Sequence, residues 1–97
     1  MTNSDKQWIE GLNDEDLAFL KRFILASGSL KTLASEYGIS YPTVRLRLDR
    51  LIHKVQILDD KTIADPFERV LRTLHAEGKI DVATFKILSE NYMKERK

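Results

Sequence analysis

Apolar residues recur at three- and four-residue intervals along nearly the whole chain, and runs that alternate apolar with polar positions are almost absent. That period belongs to helices with one buried face, so the pattern predicts an all-α protein. The first clear helix opens at Asn13, whose side chain suits the free amides of a helix start. Asp14, Glu15 and Asp16 follow at the positive end of the helix dipole. Leu12 and Leu17 are spaced as a hydrophobic staple, and Leu17, Leu20, Phe23 and Ile24 are read as the buried face. The helix should stop near Ser27 and Gly28. Upstream, Trp8 and Ile9 read as a short helical turn that covers one edge of the core.

A short second helix is predicted from Leu30 to Tyr37, capped by Ser29 and ended by Gly38. A third starts at Ser40, carries Pro42 in its first turn, and runs from Tyr41 to about Val55. Residues 55–63 fit either a short wing or a linker, and the segment is short enough to favour a linker. Asp65-Pro66-Phe67-Glu68 then reads as a capping box that opens a fourth helix, with Phe67, Val70, Leu71 and Leu74 as its apolar stripe. After Gly78, Ile80 and the Asp81 cap open a fifth, with Phe85, Leu88 and Tyr92 inward. The architecture predicted is a helix-turn-helix three-helix core over residues 1–58, followed by a C-terminal helical hairpin over residues 59–97 that serves oligomerisation.

The segment from Gly28 to Ile52 meets the demands of a helix-turn-helix, in which two helices cross steeply over a turn of three or four residues. Ala34 is the small residue where the helices touch. Gly38 supplies a positive φ at the turn. Ile39, Val44 and Leu48 close the corner, with Leu33 and Tyr37 facing them and Leu51, Ile52 and Val55 extending the inward stripe. Stepping about 100° per residue from an inward Val44 keeps Leu48, Leu51 and Val55 within about 40° of it and turns Leu46, Arg50 and His53 away. Thr43, Arg47 and Lys54 lie on one flank of the outer face, and Arg45 and Asp49 on the other.

Net charge is only +1, but its distribution is uneven. Residues 1–28 hold five carboxylates against three cations, residues 29–58 hold five cations against two carboxylates, and the remainder balances. The excess positive charge therefore falls on the third helix, where it suits a DNA major groove: arginine bonds guanine bidentately and cations attract phosphate. The N-terminal part of such a helix approaches the bases. Thr43, Leu46, Arg47 and Arg50 are thus assigned to base edges, Tyr41, Arg45 and Lys54 to phosphates, and Ser29 and Lys31 to the DNA backbone.

The stretch resembles the helix-turn-helix of the Fis type in Ala34, Gly38, Ile39, Thr43, Val44 and Leu48, taken in order. It is also similar to an uncharacterised bacterial family of small regulators. That similarity rests on Gly38-Ile39-Ser40-Tyr41-Pro42-Thr43-Val44-Arg45, on Arg47-Leu48-Asp49-Arg50-Leu51-Ile52 and on the turn Glu77-Gly78-Lys79-Ile80. Members often carry an N-terminal zinc ribbon, whose cysteines are absent from this chain. The resemblance implies a transcription regulator.

The expected function is sequence-specific DNA binding as a cytoplasmic homodimer joined through the hairpin. The alternative is a protein–protein interaction module on the same scaffold, favoured by near-neutral charge and an apolar Leu46 on a wet face. No nucleophile–base pairing, metal-ligand set or phosphate-binding glycine loop is visible, and no apolar run approaches the roughly 20 residues that span a bilayer. An enzyme, a cofactor, a metal, a small-molecule ligand and a membrane are accordingly not expected. Asp49 is read as orienting a neighbouring arginine, and His53 and His75 as surface residues.

Overall fold

The computed structural model describes the backbone of residues 3–63 and 65–95, with the side chains of 6–63 and 65–94. Six helices occur among the described residues, and no strand: α1 (Asn3–Glu10), α2 (Asp14–Leu25), α3 (Leu30–Tyr37), α4 (Tyr41–Leu58), α5 (Pro66–Ala76) and α6 (Val82–Glu95). The fold is all-α with a helix-turn-helix at its centre. No helix among the described residues is long and apolar enough to cross a membrane.

Local chemistry sets the helix ends. Asn13 caps α2 in a reciprocal box, accepting from the Asp16 amide at 2.8 Å while the Asp16 carboxylate accepts from the Asn13 amide at 3.1 Å. Ser29 accepts from the Thr32 amide at the start of α3, and Ser40 from the Thr43 amide at the start of α4. At the end of α3, Gly38 sits at φ 65°; its amide donates to Ser35 and the Ile39 amide to Ala34. This is the bonding pattern of a Schellman motif, and it turns the chain from α3 into α4.

The main core gathers Leu12, Phe19, Leu30, Leu33, Ala34, Val44, Leu51 and Leu58. Phe19, Leu33 and Val44 are the largest fully buried side chains, each stabilising by about 1.5–3 kcal/mol through loss of apolar surface. Trp8 packs on this core from α1, a full two-turn helix where a single turn was expected. The buried face of α2 differs from the one predicted. Leu20 and Phe23 pack on the core as expected, but Leu17 and Ile24 are exposed, and Asp16, Phe19 and Ala26 complete the inward side. Both stripes have helical spacing, and Phe19, the larger side chain, takes the core. Ile52, expected inward, is likewise exposed.

Helix α4 continues three residues beyond its predicted end, because Ile57 and Leu58 are buried. Ile57 packs with Ile63 and Ala76 in a second cluster beneath α5. Arg69 of α5 donates to the carbonyls of Leu58 and Ile63, satisfying the last turn of α4. Thr62 folds onto Asp60 through its amide and hydroxyl, so the connection is a tight turn rather than a wing.

In the hairpin, Asp65 caps α5 through the Phe67 and Glu68 amides and accepts from the Tyr92 hydroxyl. Glu68 pairs with Arg72 one turn on. Phe85 and Tyr92 face α5, with Tyr92 against Phe67 and Phe85 against a half-buried His75. His75 was expected at the surface. Leu88, expected inward, is exposed, as are Phe67 and Val70.

A Cβ on Gly38 would meet nothing within 4 Å, so replacement there tests the backbone conformation alone. Gly38→Ala should lower stability by about 1–2 kcal/mol, the cost of a left-handed L-residue. A urea unfolding midpoint that falls at unchanged slope is the expected reading.

Candidate functional site

The nine residues singled out from the sequence fall into three groups around α4. The first group stands in solvent at the mouth of the helix-turn-helix. Tyr41 and Leu46 are about half exposed, at 53% and 48%. Thr43 is exposed, its hydroxyl 2.8 Å from that of Ser40, and Lys31 projects from the first turn of α3. Ser29 is half-buried, with its hydroxyl engaged as the α3 cap. Arg45 is exposed and pairs at 3.3 Å with Asp49 one turn along, as expected of an orienting carboxylate.

The second group is Arg47 and Arg50. Arg47 does not project freely. Its guanidinium lies 4.9 Å from the centre of the Phe19 ring and 5.2 Å from that of Tyr37, and it donates to Glu15 at 3.3 Å. Phe19 and Tyr37 are themselves stacked at 6.0 Å, and Arg22 covers the Tyr37 ring at 4.9 Å. Arg47 therefore links α2, α3 and α4 by cation–π contact and charge, an engagement that its assignment to base edges did not include. Arg50 remains exposed, and its guanidinium lies against the backbone of the hairpin turn at Gly78.

The third group is Lys54, and here the phosphate assignment is overturned. Lys54 is only 4% exposed. Its ammonium donates to Asp16 at 2.5 Å and to Glu77 at 3.0 Å, so one cation is clamped between the first turn of α2 and the end of the α5 helix. Burial taken alone disfavours the charged amine. The hydrogen bonds to Asp16 and Glu77, with their negative charge, outweigh it and hold Lys54 above its ordinary value of 10.5. A helical wheel for α4 places Lys54 on a flank but cannot show what packs there. The signal that was missed is Asp16, a carboxylate in register with Phe19 and Phe23 on the buried side of α2, which requires a cation opposite it.

The hairpin thus lies against the second half of α4. His53 and Ile57 line a shallow cavity with Arg72, His75 and Phe85, while Arg47, Arg50 and Lys54 line another, of about 190 Å³, with Glu77 and Lys79. The 18 residues of α4 span about 27 Å. Its first half is open on the outward side, and its second half is flanked by the hairpin.

Lys54→Met should cost about 2–3 kcal/mol at neutral pH, below the roughly 3–5 kcal/mol of a fully buried broken pair, because both carboxylates keep some solvent. With its pKa raised on folding, Lys54 contributes fully below pH 10.5 and loses that contribution as pH climbs through the folded-state value. Urea unfolding should therefore show the gap between wild type and Lys54→Met narrowing above pH 10.5; a gap that stays constant would contradict the assignment.

Residues 12–58 match a protein-family model described as "Domain of unknown function (DUF2089)-HTH". The match starts at Leu12, the first buried side chain of the core, and stops at Leu58, the last residue of α4. No curated protein matches the chain, and no solved structure does. From Leu12 to Leu58 the protein is similar to an uncharacterised helix-turn-helix family, and the α5–α6 hairpin lies outside that similarity.

Proposed function

We propose that the protein is a DNA-binding transcriptional regulator that lays the first half of α4 in the major groove. The observation that carries this reading is the open outward side of α4 at its N-terminal end, immediately after the Gly38 turn, where Tyr41, Thr43 and Leu46 are exposed. Helix-turn-helix proteins read bases from that end of the second helix. Thr43, Leu46 and Arg50 lie within about 60° of one another on the helix wheel and form the base-facing strip. Leu46 offers an apolar contact for a thymine methyl, and Arg50 a bidentate donor for guanine. Tyr41, Arg45, Lys31 and Ser29 flank this strip as backbone contacts. Arg47 and Lys54 serve the interface indirectly, by fixing the pitch of α4 against α2 and the hairpin.

A single module of this size touches few base pairs, which favours a two-fold dimer. The hairpin supplies the surface. Val70, Ile87 and Met93 are each more than half exposed, and Phe67 and Leu88 are about 41% exposed. Two such hairpins packed together would bury these side chains in a four-helix arrangement. Exposed Leu46 and Ile52 on α4 favour a second reading, in which that helix binds a protein instead of DNA.

Selection of bound fragments from randomised duplex DNA separates the two readings. Enrichment of a two-fold symmetric site is expected, and Arg50→Ala should weaken binding to it by about 1–3 kcal/mol. Failure to retain any duplex at low salt would reject DNA binding. Sedimentation should give a dimer that becomes a monomer in Val70→Glu/Ile87→Glu; a wild-type monomer at high concentration would reject the hairpin pairing.

A further inference from the structure

We propose that the hairpin turn is itself part of the DNA-contacting surface, with Lys79, standing beside the base-facing Arg50, gripping the phosphate backbone that borders the groove α4 enters. The inference rests on the DNA-binding reading and extends it to an element that the sequence assigned to oligomerisation alone.

Three observations carry it. The first is the closeness of the turn to α4. Gly78 has φ +77°, and a Cβ built on it would fall 2.8 Å from a terminal nitrogen of Arg50 and 2.9 Å from the guanidinium carbon. The guanidinium therefore lies on the turn in space that a side chain would fill. The turn backbone is fixed there, since the Gly78 amide donates to His75 at 3.0 Å and the Lys79 amide to Leu74 at 3.0 Å.

The second is the state of the charges. Asp16 and Glu77 are engaged by Lys54, and Glu15 by Arg47. Lys79 is 61% exposed and reaches only the second oxygen of Glu77, at 3.9 Å. Arg50 is exposed and takes part in no ion pair among the described residues. Among the described residues, the carboxylates where the hairpin meets α4 are thus held by Arg47 and Lys54, and Arg50 and Lys79 are left there as cations available to an outside anion.

The third is position. Arg50 lies seven residues beyond Thr43, about 10 Å along the helix. The major groove is about 12 Å wide, so Lys79, beside this far end of the base-facing strip, comes to the phosphates at the groove's edge. Such contacts fix register on the duplex without reading sequence.

The test uses the full chain and a duplex recovered by selection, with affinity followed against salt concentration. Lys79→Ala should weaken binding equally on the selected and an unrelated duplex and reduce the log–log salt slope by about 1. Lys79→Arg should retain the wild-type slope, and Lys86→Ala, an exposed lysine of α6, should leave affinity and slope unchanged. An unchanged slope in Lys79→Ala overturns this inference while leaving DNA binding by α4 in place. A wild-type protein that binds no duplex at any salt concentration overturns both.

Discussion

The buried ammonium of Lys54 is the contact on which the arrangement of this molecule turns. Removing a charge from water costs several kcal/mol, and the cost is recovered only where opposite charges and hydrogen bonds meet it in good geometry. Asp16 and Glu77 do so from two separate elements, the first turn of α2 and the end of α5. Apolar contact is non-directional and tolerates sliding. A cation that must keep two carboxylates within about 3 Å does not tolerate it. The clasp therefore fixes where the hairpin sits along α4, while Ile57, Ile63 and Ala76 supply the apolar burial beneath it.

That placement divides the central helix into two halves with different work. Toward its C-terminal end, α4 is structural: Lys54, Ile57 and Leu58 are buried, and Arg69 completes its last turn. Toward its N-terminal end it is open. The cationic flank inferred from the helix wheel is largely absorbed by the fold itself. Lys54 holds the hairpin, and Arg47 spreads over Phe19 and Tyr37 while pairing with Glu15. What remains for a partner is a shorter strip that is less charged and more apolar, centred on Leu46 and bounded by Arg45 and Arg50. A groove-binding helix of this kind would draw its electrostatic attraction from cations around it, which is why the neighbourhood of the hairpin turn matters to the reading proposed here.

Several features were legible because their physics is local. Ser29 and Ser40 cap helices through amides three residues away, and Gly38 takes a left-handed conformation because the chain must reverse there between two helices. Ala34 is small where α3 meets α4, and Val44 falls at the corner. All of these depend on neighbours within a few residues. The inward face of α2 was less legible, since two overlapping apolar stripes share that helix and only the shape of the pocket beneath selects Phe19 over Leu17 and Ile24. The same ambiguity hid Asp16 and left Lys54 looking like a surface cation.

Spacing and composition settled what an element is: the five helices from Asn13 onward, the caps at Asn13, Ser29 and Ser40, the sharp turn at Gly38, and the excess of positive charge in the middle of the chain. These follow from backbone hydrogen bonding and side-chain periodicity, which act over one or two turns of chain. Which charges remain free was settled by packing. Glu77 reaches Lys54 across 23 residues and Asp16 across 38, and no periodicity within one helix encodes those meetings. They exist because the folded chain brings three helix ends to one point from which water is largely excluded, where a charge must find its opposite.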